Sequence, residues 1–440
     1  MNNTKVLSVD FNKKMNKLKS ACAVTGGPRR GGVGLPLDLS VLYRELLPPA
    51  IRLADIEAPY GTNRFLDVHC IFPDFSADES LEDSYDFAPT DEYLTASLNI
   101  GSELFIRLGE TPDPFPSPRY AFPKCSFKKW ARICERIIMH YNEGWANGYK
   151  LGLKNFERWS FADEPNSWSG TPSEYYEFYS VVARHLHKRF PRLKLGAFGS
   201  GGFASLNRID VSEEQKRYSS FLVGFLKYVT AKENSAPLDF LSWRCAALTP
   251  EEIAVHSRYA RSVLDEYGQR RCKSVICELT LDPRLTHGSS DEVFSAAAAA
   301  LTVAMKCEAD LVFTNTLDGD FGGLFKLAED GEVRRCANYY AYLYSSRLSR
   351  MASRLETTGD SRGELYSVAA ADEGEAGLLI VSRNFSGRIE LRFSGFTYSS
   401  VSVTRVTASG EVRTKDNIPL SGNKIAISAE FNEVFYLHFH

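Results

Sequence analysis

The 440-residue chain carries 52 Lys and Arg against 55 Asp and Glu, a net charge of −3, with 44% hydrophobic and 24% charged residues. That balance excludes a general affinity for nucleic acid or anionic membranes, and the length suits a large barrel with an accessory module. The nine cysteines are scattered without a CxxC pair, so neither a disulfide framework nor a zinc site is indicated, and no metal or cofactor is expected.

The first residues, Met-Asn-Asn-Thr-Lys-Val, lack the apolar core of a targeting segment. No run approaches the ~18 apolar residues of a membrane span, and a reducing cytoplasm is the expected compartment. Val6–Phe11 alternates apolar and polar residues and predicts a strand. From about Ala21 to Arg347, short apolar strands alternate with capped amphipathic helices. Strands are expected at Ala21–Val24, Ile51–Asp55, Glu103–Leu108, Phe156–Phe161, Leu193–Phe198, Leu238–Trp243, Ser274–Glu278 and Asp310–Thr314. An irregular segment from Pro59 to Pro89 follows the second of these, and loops of that length are usually functional or mobile. Phe127, Trp130, Ile133, Cys134, Ile137, Ile138 and Tyr141 recur at helical spacing before Gly144. Thr171-Pro-Ser-Glu174 and Thr249-Pro-Glu-Glu252 each set a hydroxyl, a proline and a glutamate as a capping box needs them, and Ser212-Glu-Glu-Gln215 repeats the logic. Eight β-then-α units predict a (β/α)8 TIM barrel over residues 13–347, and no GxGxxG follows any strand to argue for an open dinucleotide-binding sheet. Beyond about Arg350 the texture changes. Leu378–Val381, Ile389–Phe393, Val401–Thr404, Ile425–Ser428 and Val434–Leu437 predict a small antiparallel β-sandwich over residues 348–440, joined by a strand from residues 1–12.

The C-terminal ends of barrel strands carry chemistry. Those ends present Asp55, Glu110, Glu164, Arg244, Glu278 and Asn315. Glu164, in Trp159-Ser-Phe-Ala-Asp-Glu-Pro-Asn166, leaves the fourth strand, and Glu278, in Val275-Ile-Cys-Glu278, ends the seventh. Two carboxylates on separate strands are the minimum equipment for glycoside hydrolysis: one protonates the leaving oxygen and the other attacks the sugar or activates water. A charged Asp163 beside Glu164 would raise its pKa, as a general acid at neutral pH requires. Arg244 has two readings, a grip on a substrate carboxylate or an ion pair with Asp163 or Glu278, and the ion pair is the preferred one. Arg52, Glu110, Trp243 and Asn315 are candidate walls of a sugar pocket. His69 reads as a satisfied loop histidine.

These residues carry a family resemblance. Trp159-Ser-Phe-Ala-Asp-Glu-Pro165 resembles the acid/base motif of glycoside hydrolase family 39, Trp-Glu-Ile-Trp-Asn-Glu-Pro. Tyr85–Asp91 with Leu104–Gly109 resembles that family's third βα unit, Pro237–Trp243 its sixth strand and Gly26-Gly-Pro28 its first. The resemblance implies a clan of retaining glycosidases, with Glu164 as acid/base on strand four and Glu278 as nucleophile on strand seven. Departures concern the sugar-binding shell: Asp163 replaces an Asn, Arg244-Cys-Ala246 replaces His-x-Tyr, Leu279 replaces a Trp and Ala54 a His. The expected activity is retaining hydrolysis of an oligosaccharide or glycoside, with carbohydrate as the partner. A non-catalytic carbohydrate-binding protein and a transglycosylase using the same glutamates are the rival readings.

Overall fold

The computed structural model describes residues 3–25, 39–53, 67–109, 123–158, 168–285, 289–315, 323–328, 331–420 and 422–440; for Ala96, Phe156, Glu157, Arg158, Phe198, Pro283, Asn315 and Leu327 only the backbone is described. The chain forms two compact units. Ala23–Cys245 with Arg258–Glu278 make one, and Met1–Cys22, Ala246–Ser257 and Leu279–His440 make the other.

After a first strand, β1 (Thr4–Met15), the chain runs β2 (Ser20–Thr25), α1 (Ser40–Leu46), β3 (Ala50–Leu53), α2 (Val68–Ile71), α3 (Ala88–Leu98), β4 (Glu103–Arg107), α4 (Phe127–Asn142), β5 (Asn155–Arg158), α5 (Pro172–Arg189), β6 (Lys194–Ser200), α6 (Glu213–Thr230), β7 (Phe240–Ala247), α7 (Pro250–Glu266), β8 (Lys273–Leu281), α8 (Ser290–Ala304) and β9 (Leu311–Asn315). Strands β2 to β9 close in chain order into a barrel. The successive pairs from β2 to β7 are parallel. This is the (β/α)8 architecture the alternation predicts. Phe105 on β4 and Phe240 on β7 are separated by two strands, yet their rings lie 5.4 Å apart, so both point into the barrel. Gly196, paired with Phe240, makes room for that ring, since a Cβ there would overlap it.

The helices follow their sequence signals. On α4 the expected stripe from Trp130 to Tyr141 is buried. Thr171 and Ser212 close complete capping boxes with Glu174 and Gln215. At α7 the box does not close: Glu252 accepts from the amide of Leu248, one residue before the cap, at 2.7 Å, and the Thr249 hydroxyl makes no hydrogen bond. The described part of the Pro59–Pro89 segment is packed on α4. Phe75 stacks on Trp130 at 5.6 Å, Lys129 donates to the Ala77 carbonyl at 2.7 Å, and Arg132 pairs with Glu79.

Past β9 come β10 (Phe325–Leu327), β11 (Val333–Arg335), α9 (Ala337–Arg350), β12 (Ser353–Thr358), β13 (Leu365–Ala371), β14 (Ala376–Ser382), β15 (Gly387–Ser394), β16 (Ser400–Thr407), β17 (Val412–Pro419), β18 (Lys424–Ala429) and β19 (Glu433–Phe439). Nine strands form one sheet in the order β17-β16-β19-β14-β13-β12-β1-β15-β18. The N-terminal strand does join, and its partner β15 runs parallel to it where the sequence predicts only antiparallel pairs. Its alternation sends Leu7, Val9 and Phe11 inward. Strands β15 and β19 stand five places apart, which on a flat sheet is about 24 Å at ~4.8 Å per strand. Phe393 and Phe439 nevertheless lie 5.3 Å apart, so the sheet curls over one core, as a sandwich does. The alanines of α8 allow it to pack closely on β13 and β14.

Candidate active site

Arg244 and Glu278 interrupt two buried strands at matching places. On β7, Phe240 to Trp243 are buried and Arg244 is the first partly open position; on β8, Ser274 to Cys277 are buried and Glu278 is the first. Both sit in the C-terminal halves of their strands, where a barrel interior meets solvent. Arg244 donates through Nε to Glu278 Oε2 at 2.9 Å and through Nη2 to the same oxygen. Side-chain exposure is 31% for Arg244 and 11% for Glu278. Among the described residues, Glu278 Oε1 accepts no hydrogen bond.

A shift in register brings the two together. Lys273 N–H donates to the Asp239 carbonyl at the start of the strand pair, and Asp282 N–H donates to the Ala247 carbonyl beyond its end. The second bond spans one residue more than the first, so β8 has one extra residue relative to β7, a bulge. Without it, strict alternation from the inward Phe240 would place Arg244 level with Cys277, and Glu278 would face away. The Thr25 hydroxyl, on β2, donates to the Cys277 carbonyl at 2.9 Å. Strand β9 lies between β2 and β8, so that carbonyl is turned out of the ladder and into the barrel. Thr25 therefore pins the peptide that carries Glu278.

The other expected site residues fall in three places. Arg52 is buried on β3, paired in register with the inward Phe105, so it lies in the barrel interior. Trp243 is adjacent to Arg244 and faces the opposite way; it is fully buried, donates its indole N–H to Ser274 Oγ at 3.0 Å and packs on Phe203 with ring centres 5.1 Å apart. A ring so enclosed has no face to offer a sugar. Asn315 ends β9, with its side chain outside the described residues. Asp163, Glu164 and Glu110, and with them Asp55 and Ala54, also lie outside the described residues. Leu279, where the family has a Trp, is fully buried. His69 holds Nδ1 4.0 Å from Asp67 Oδ2.

One interior feature was not anticipated. Arg107, two residues beyond Phe105 and on the same face, pairs with the carboxylate of Asp67, and both side chains are buried. The signal was available: a cation at an inward position of a buried parallel strand needs a counter-charge.

The sequence matches no family model and no curated protein. Its structure is similar to a glucosidase from Croceicoccus marinus, with TM-score 0.71 at 20% identity over 99% of each chain. It is also similar to the GH51 α-L-arabinofuranosidase from Thermotoga petrophila, with TM-score 0.69 at 11% identity over 99% of this chain and 100% of that one. A GH39 β-xylosidase from Caulobacter crescentus gives 0.66 at 16% identity over 99% and 100%. The chain has the fold of known glycosidases. At these identities the likeness establishes architecture, and chemistry has to be argued from the residues themselves. No helix among the described residues is long and apolar enough to cross a membrane.

Proposed function

We propose that this protein is a retaining glycoside hydrolase in which Glu278 is the nucleophile and Glu164 the acid/base. The observation that carries the reading is the carboxylate of Glu278, turned by a bulge into the open end of the barrel with Oε2 held by Arg244 and Oε1 available. Glu278 Oε1 attacks the anomeric carbon as Glu164 protonates the departing glycosidic oxygen. A water molecule deprotonated by Glu164 then displaces Glu278, releasing the sugar with its original anomeric configuration. The mechanism requires the two carboxyls about 5–5.5 Å apart; about 6.5–9.5 Å would instead suit inversion. The sequence motifs and the GH39 β-xylosidase among the structural neighbours favour a divergent family-39-like enzyme acting on a β-xyloside-like glycoside. The catalytic region is residues 13–347, with 348–440 and 1–12 as the accessory module. Because Arg244 gives two N–H groups to Glu278, its role is to orient the nucleophile rather than to bind a substrate carboxylate.

Alanine variants test the two roles, since an acid matters most when the leaving group is poor and a nucleophile matters for every substrate. Glu164→Ala should keep much of its glycosylation rate on activated aryl glycosides and lose nearly all of it on natural ones. Glu278→Ala should fail on both. Azide should give a glycosyl azide of the substrate's configuration with Glu164→Ala and the opposite anomer with Glu278→Ala. Like behaviour of the two variants would overturn the assignment.

A further inference from the structure

A polar cavity lies within the sheet-bearing unit. About 280 Å³ in volume, it is lined by Arg347 and Arg350 of α9, Asp372 and Glu375 of the turn between β13 and β14, and Tyr436 and His438 of β19. This is near the lower end of small-molecule pockets, about 300–1,000 Å³, and suits a ligand of one sugar ring or less.

Its two sides differ in what they ask of a ligand. Arg347 and Arg350, three residues apart on one helix face, have no carboxylate partner among the described residues. The guanidinium of Arg347 rests 5.5 Å from the Tyr344 ring centre, and Nη1 of Arg350 reaches only Ser346 Oγ at 3.4 Å. Burial and the neighbouring charge of Arg347 lower the pKa of Arg350, a repulsion that an anion between the two would relieve. Tyr436 stacks on Tyr344 at 4.4 Å, and burial pushes its hydroxyl up to about 12, so it stays a proton donor. Across the cavity, Asp372 accepts from the Ala352 amide at 3.2 Å, and Glu375 lies 3.0 Å from His438 Nε2. Each of these carboxylates has acceptor capacity left over, which only a donor-bearing ligand can use. The guanidinium side wants a carboxylate and the acidic side wants hydroxyl groups.

We propose that this cavity binds a small hydroxylated carboxylate, an aldonic or uronic acid, with its carboxylate on Arg347 and Arg350 and its hydroxyls donating to Asp372 and Glu375. Inorganic phosphate satisfies only the first side and glucose only the second. The proposal is independent of Glu164 and Glu278.

Calorimetric titration of the full chain with gluconate, glucuronate, glucose and inorganic phosphate tests it. At least one of the two acids should bind, and glucose and phosphate should bind at least tenfold more weakly; binding is assigned to this cavity rather than the barrel by its loss in Arg347→Gln, a lining residue of this cavity. Arg347→Gln alters an exposed helix position and should leave the melting temperature in place while weakening the acid by roughly tenfold or more, the loss expected of a charge-assisted hydrogen bond. Arg350→Gln should do the same. Absence of binding by both acids, phosphate or glucose binding as tightly as the acids, or unchanged affinity in folded Arg347→Gln would each overturn the proposal.

Discussion

A guanidinium that gives two N–H groups to one carboxylate oxygen fixes the rotation of that carboxylate as well as its surroundings. If Arg244 serves Glu278 in this way, Arg244→Ala should cut kcat/KM by roughly 10- to 100-fold, the effect of about 1.5–3 kcal/mol from a hydrogen bond to a charged group. The loss should be equal on neutral and uronic-acid glycosides, and Arg244→Lys should restore part of it. A loss confined to uronic-acid substrates would assign Arg244 to substrate recognition instead. The neighbouring residue shows what could be read from sequence at this scale. Trp243 and Arg244 are consecutive on a strand, so they cannot both face one pocket. Alternation alone excludes one of them, and the complete burial of Trp243 shows which. Glu278 is the converse case: alternation without the bulge would turn it away, and nothing in Val275-Ile-Cys-Glu announces an extra residue.

At the scale of elements, the three cap motifs look alike in sequence and differ in the structure, which sets up a comparison. Thr171→Ala and Ser212→Ala should each destabilise by about 1 kcal/mol, since both hydroxyls accept from the amide three residues on. Thr249→Ala should change little, because that hydroxyl bonds nothing. Denaturant midpoints of the three variants check this, and equal losses at all three sites would contradict it. Helix starts were legible because capping is local chemistry. Strand cores were legible as short apolar runs, but strand ends were not. The expected β7 stops at Trp243 and the expected β8 at Glu278, whereas the strands continue to Ala247 and Leu281. The polar side chains that form the site look like the end of a buried strand. In the sheet, β17 escaped notice for a related reason: its Val412–Pro419 is an exposed, polar edge strand with no apolar alternation to mark it.

On the scale of the whole molecule, the pairing of the chain's first strand is long-range and was legible only as a possible neighbour of the later strands. β1 lies between β12 and β15, so the sheet has no continuous ladder without it. Phe11 meets Phe393, Phe439 and Tyr398 with ring centres 6.2, 5.5 and 5.7 Å away. Phe11→Ala should cost about 3–5 kcal/mol and lower the melting temperature of this unit by roughly 10 °C. A melting curve indistinguishable from the parent would contradict a shared core beneath the curled sheet.

The central claim is that Glu278 becomes covalently glycosylated, and trapping tests it most directly. A panel of activated 2-deoxy-2-fluoro glycosides slows release of the glycosyl-enzyme more than its formation. Intact-mass spectrometry followed by peptide mapping then locates the sugar. The account predicts one added fluoroglycosyl group per chain, on the peptide containing Glu278, and none in Glu278→Gln. A label on another residue, or turnover of the parent glycoside with inversion and no label, would contradict it.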